Sequence, residues 1–150
     1  PPIVGPIPPP PIDFAQLVTD VNVGFPTFGE QQYQVEVHWV TSMGEIPLQR
    51  VHYLGGPGTM PFLDLLEQGG GELLLVDQRY SIPMPRYTLG FMGSPTLQLR
   101  HRVGSAGLDR LPALEQMVGV GISLTVIRGE LRLDPATGDM QLAAGFTFAR

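Results

Sequence analysis

Hydrophobic and polar residues alternate most clearly between positions 31 and 41. There Tyr33, Val35, Val37 and Trp39 interleave with Gln34, Glu36 and His38. A period of two is the signature of a strand with one face covered. A second strand is predicted over 46–54, with Pro47 at its start, and a turn over 42–45 makes the two a hairpin. The continuous apolar run at 73–77 predicts a strand covered on both faces. At 96–103, Leu97, Leu99, His101 and Val103 alternate with Gln98, Arg100 and Arg102, predicting another strand. Positions 122–133 and 140–148 predict a closing hairpin, with proline and glycine in the connecting turn at 134–139.

Three segments read as short helices. Over 12–21, Asp13 is a plausible N-cap, and Phe14, Leu17, Val18 and Val21 share one helical face. Over 60–68, Thr59 is the cap, Pro61 lies in the first turn, and Phe62, Leu65 and Leu66 face inward. The third falls within 104–118, with Ser105 or Asp109 near its start and Pro112 in its first turn. Positions 22–29 and 81–95 read as loops. No internal repeat or heptad pattern is present. The predicted fold class is therefore α+β and β-rich: a compact antiparallel or mixed sheet body, barrel- or tulip-like, with two or three short helices over 13–150.

Residues 1–12 stand apart from that body. The first eleven, Pro-Pro-Ile-Val-Gly-Pro-Ile-Pro-Pro-Pro-Pro, carry no polar side chain. Proline fixes φ and removes the backbone donor, so this stretch is neither helix nor central strand. It reads as an extended arm, about 3.1 Å per residue. Pro2, Ile3, Val4, Pro6 and Ile7 are its candidate partner-binding positions. Pro8, Pro9, Pro10 and Pro11 complete the candidate set as a stiff stalk.

Composition narrows the function classes. The chain of 150 residues has a formal net charge of -5, which argues against nucleic-acid binding and against docking on an anionic membrane. No apolar run reaches the length of a transmembrane helix, and no secretory leader is visible. Without cysteine, thiolate chemistry and disulfides are excluded. All nine basic residues are arginine, and Asn22 is the single asparagine. That fits either heat adaptation or GC-rich coding.

Candidate chemistry is thin. Gly55-Gly56-Pro57-Gly58, followed by Leu74-Leu75-Val76-Asp77-Gln78-Arg79, resembles the proline-iminopeptidase branch of the α/β-hydrolases across residues 50–80. The resemblance implies an oxyanion-hole loop. However, Leu54 replaces that family's histidine, Tyr80 replaces its glycine, and the Gly-x-Ser-x-Gly elbow is missing. The nearest approach lies around Ser123. His38, His52 and His101 fall on separate predicted strands, and a metal would need them to converge. Asp134 and Asp139 flank a turn rather than a calcium loop. No catalytic, cofactor or metal residues are assigned, and the chain is not read as an enzyme. Trp39, Arg100 and Arg102 are candidate interface residues, the arginines on a solvated sheet face.

In size, layout and composition the chain resembles the head decoration (cement) proteins of tailed phages. That resemblance implies a structural virion protein, trimeric and with a composition that suits a phage of a thermophile. Assembled in the host cytoplasm, it would bind the outer capsid surface and bridge subunits of the major capsid protein through residues 1–12. It implies no nucleic-acid or membrane partner. Alternatives are a tail or pilus-like assembly subunit, or a degenerate hydrolase around Gly55 and Gly58.

Overall fold

A computed structural model describes residues 13–146. Strand makes up 59% and 3-10 turns 4%. Nine strands form two sheets. They are β1 (Phe14–Pro26), β2 (Gln32–Gly44), β3 (His52–Leu54), β4 (Gln68–Gly70), β5 (Glu72–Pro83), β6 (Thr96–Gly107), β7 (Glu115–Ser123), β8 (Ile127–Leu133) and β9 (Met140–Phe146). The large sheet runs β1-β2-β5-β6-β7-β8-β9, every neighbouring pair antiparallel, and it is not closed into a barrel. The small sheet is the antiparallel pair β3-β4.

The expected α+β class is therefore corrected to nearly all-β, with no α-helix among the described residues. Each expected helix fails for a physical reason. Over 12–21, a longer alternation wins: Ala15, Leu17, Thr19, Val21, Val23 and Phe25 share one face of β1, and β-branched side chains favour strand. At 60–68 the segment is held as consecutive turns, among them Leu63 N–H to Met60 O (3.2 Å) and Glu67 N–H to Asp64 O (3.1 Å). So short a helix has too few bonds to offset nucleation. Within 104–118, β6 simply continues to Gly107, and Pro112 falls in the connection to β7.

The expected 31–41/46–54 hairpin is also replaced. β2 pairs with β1 and β5 instead, while 48–50 is a 3-10 turn and only His52–Leu54 is strand. The strands expected at 73–77 and 96–103 are present and longer, and β8 and β9 pair as the closing hairpin. In its turn, the Asp134 carboxylate accepts from Ala136 N–H (2.8 Å) and Thr137 Oγ1 (2.9 Å), and Gly138 takes φ +81°.

The core lies on one side of the large sheet. Val40, Leu73, Ala106 and Met117 project from β2, β5, β6 and β7 towards the 45–71 connection, which contributes Leu54 and Met60. Gly104 leaves the room this needs, because a Cβ there would sit 3.1 Å from both Leu54 and Leu75 side chains. The glycines of the Gly-Gly-Pro-Gly stretch serve the same connection. Gly55 and Gly56 adopt φ +135° and +83°, and a Cβ on Gly55 would collide with the Asp64 carbonyl.

Candidate functional site

Register assigns every strand residue to one of two faces, since directly opposed residues in an antiparallel pair point the same way. The first face carries Val21, Val37, Val76, Val103 and their partners two positions along. It continues through Val118 and Val120 on β7, Leu131 and Leu133 on β8, and Met140 and Leu142 on β9. No Asp or Arg of the strands lies on it, and its one carboxylate is Glu72 at the start of β5, which accepts from Thr41 Oγ1 (2.7 Å) and Ser42 N–H (3.2 Å). Its polar side chains are few: Thr19, Thr41, Gln78, His101, Ser105 and Gln116.

This face is bare. The seven strands leave seventeen large apolar side chains exposed, and sixteen lie here; only Val18 is on the other face. Met43 and Phe146 are each 75% exposed and Leu142 81%. At about 4.8 Å per neighbour, the face is roughly 29 Å across, far beyond the scattered apolar residues of an ordinary surface. One end carries an aromatic group, with Phe25 edge-on to Tyr33 (5.3 Å) and Tyr33 tilted against Tyr80 (6.4 Å). Tyr33 donates its hydroxyl to Gln78, and Tyr80 to Gln31.

The second face is polar and charged. Asp77, at mid-β5, accepts from Arg102 Nη2 (2.7 Å) and from Arg100 Nε (2.8 Å) and Nη2. Arg102 also donates to Thr59 O and Gly58 O, fastening the 45–71 connection to the sheet. Glu130, 4% exposed, accepts from Arg132 Nη2 (2.9 Å) and Nε (3.1 Å) and from Arg128 Nη2 (3.4 Å), with Arg100 Nη1 at 3.8 Å. Gly119 makes this reach possible, because a Cβ there would sit 2.9 Å from Glu130 Oε1. Burial pushes the Asp77 carboxyl up, but hydrogen bonds from Arg100 and Arg102, and their charges, hold it below the usual carboxylate range. An open cavity of about 420 Å³ lies beside this network, lined in part by Asp20, Glu36 and His38.

Trp39 is on the apolar face and 42% exposed. Arg100 and Arg102 are on the opposite face and nearly buried, not on a solvated surface. The three residues therefore do not share a surface. Pro2, Ile3, Val4, Pro6, Ile7 and Pro8 to Pro11 lie outside the described residues. His38 and His52 meet with ring centroids 5.9 Å apart, His38 bonding Asp20, while His101 is on the apolar face. Among the described residues no group of three or more His, Cys, Asp or Glu is placed to hold a metal ion. Ser123 ends β7 opposite Thr96 and Arg128, whereas Asp77 is bound to two arginines at mid-sheet, so no triad forms with His52.

Sequence reasoning missed Asp77, Glu130 and Gly119 as a network. The alternation Arg128-Gly-Glu130-Leu-Arg132 was the available signal, since it places three charges on one face. No family model matches the chain, and no curated protein matches it in sequence.

Proposed function

We propose that residues 13–146 form part of the wall of a β-barrel that crosses a lipid bilayer. The apolar face meets acyl chains, and the charged face, with the 45–71 connection folded on it, faces the interior. The observation that carries this reading is the sorting of sixteen exposed apolar side chains to one face and, to the other, every strand guanidinium and every strand carboxylate but Glu72, which sits at the end of β5. Outward apolar and inward polar alternation is what a spanning barrel requires. Strands of 9 to 13 residues in β1, β2, β5, β6 and β7 suit the span. Tyr33, Tyr80 and Phe25 at one end of the face suit a headgroup boundary.

This reading departs from the expectation of no membrane contact, which rested on net charge and on the lack of a long apolar run. No helix of the described residues is long and apolar enough to cross a membrane; strands alternating in polarity need neither a helix nor such a run. A bilayer has no water to satisfy an open edge, so β1 and β9 both take further strands from outside residues 13–146.

The virion reading keeps one supporting observation: an exposed Trp39 in an apolar surface also suits docking on a protein shell. Trp39 is the chain's single tryptophan, and it separates the two readings. The full chain, diluted from urea into vesicles containing brominated phospholipid, is expected to gain strand signal and lose Trp39 fluorescence to the bromines. A protein that folds in plain buffer as discrete trimers, with Trp39 reached by acrylamide and not by bromolipid, would overturn the membrane reading and favour the shell.

A further inference from the structure

We infer that the charged face holds a binding site for a phosphate-type oxyanion, centred on Arg79 and bordered by Arg100, Arg128 and Arg132. Arg79 stands directly opposite Arg100 across β5 and β6, and Arg100 and Arg132 both flank Gly119 in the same transverse row. Like charges set directly opposite each other destabilise a sheet unless an anion lies between them. The carboxylates available are already engaged. Asp77 is taken by Arg100 and Arg102, and Glu130 by Arg128, Arg132 and Arg100.

Arg79 is left out of this sharing. Among the described residues it makes no ion pair within 4.0 Å, and its Nε is buried without a hydrogen-bond partner. Arg128 lies close enough to feel the other three: burial pushes it down, Glu130 opposes this, and Arg100, Arg79 and Arg132 add to the lowering. With Arg102, five guanidinium groups face Asp77, Glu130 and the more distant Glu36. Asp20, also on this face, is bonded to His38 rather than to an arginine, in a chain whose net charge is -5. Arg79 and Arg100, two forked donors on directly opposed positions, suit a tetrahedral anion with several oxygens better than chloride. Arg128, 36% exposed, keeps the site open to solvent. The inference uses the charged face alone and stands whether or not the opposite face meets lipid.

The test is a phosphate titration of the full chain, in micelles or in buffer, whichever holds the fold. It is followed by the arginine Nε–Hε resonances. Inorganic phosphate is expected to shift the Arg79 signal saturably, while chloride at matched ionic strength does not. Glycerol phosphate, run in parallel, separates a free ion from a phosphate group carried on a larger molecule. Arg79→Gln is expected to weaken phosphate binding at least about tenfold, while Arg86→Gln, in the 84–95 loop, leaves it unchanged. An Arg79 signal that ignores phosphate, or that moves equally with chloride, would overturn the site. So would an Arg79→Gln protein that binds phosphate as tightly as the parent. Should that variant not fold, the resonances of the parent chain decide alone.

Discussion

The two faces of the seven-stranded sheet share one backbone and one alternation, yet they are stabilised in different ways. The charged face brings its own cover. The 45–71 connection folds onto it, Leu54 and Met60 fill the gap, and Arg102 binds the Thr59 and Gly58 carbonyls. The apolar face is covered only at the end of β6, where the 108–114 connection meets Ser105 and Gly107, and the stability of the rest depends on what lies against it. A protein surface of this breadth whose one strand charge is Glu72 at its end would drive association in water. In hydrocarbon the same surface is matched to its solvent, and the arginines on the far side are sheltered from it.

The largest effect is expected at Asp77. Replacing it by asparagine leaves Arg102 buried without its counter-charge, at a cost of about 3–5 kcal/mol. Urea unfolding measures this, and a loss below about 1 kcal/mol would show the network to be decorative. The acid limb carries the same information. Because the folded Asp77 carboxyl is held low, the unfolded chain takes up the proton first. The pair's stability is complete above roughly pH 5 and is lost as pH falls through the lowered value. Asp77→Asn should flatten that limb.

Leu54→Ala tests the cover itself. Leu54 is fully buried, so the change should cost about 2–5 kcal/mol, with protease cutting first within 45–71. Val120→Arg, at the middle of β7 on the bare face, should cost about 2–4 kcal/mol in a bilayer. Gln98→Arg, on the charged face of β6, should stay within about 0.5 kcal/mol. If Val120→Arg is neutral and merely improves solubility, the bare face meets water or protein and not lipid.

The smallest effect belongs to His52. Burial, and then repulsion from His38, lowers its protonation below the ordinary value of 6.5. The unfolded chain therefore takes up the proton first, and hold on the 45–71 connection weakens as pH falls from 6.5 towards the lowered value. Asp20, bonded to His38, limits the effect. Hydrogen exchange over 45–71 at about pH 7.5 and about pH 5.5 should differ modestly, and His52→Gln should remove the difference.

Much of the strand pattern was legible in the sequence. The alternations at 31–41 and 96–103, and the 140–146 half of the closing hairpin, lie where the residues put them. The first strand was not, because Phe14, Leu17, Val18 and Val21 satisfy a helical spacing over ten residues. The alternation that decides for strand runs on through Val23 and Phe25. Sequence also gave no means of telling which face meets water. Arg100 and Arg102 look like solvated residues until the partners appear: Asp77 stands 23 and 25 positions away, and Thr59 stands 43 from Arg102. Arg79 carries no local sign of its unpartnered nitrogen, which depends on the register of β5 against β6.

The count of strands in the large sheet sets a parity rule for whatever completes it. Seven strands alternate in direction without exception, so β1 and β9 point the same way. Joining these two edges directly would create a parallel pair in an otherwise antiparallel sheet. An all-antiparallel ring is reached only by adding an odd number of strands, and never by placing two copies side by side about an axis normal to the membrane. Under the membrane reading, whatever completes the wall carries the opposite sense at both of its ends.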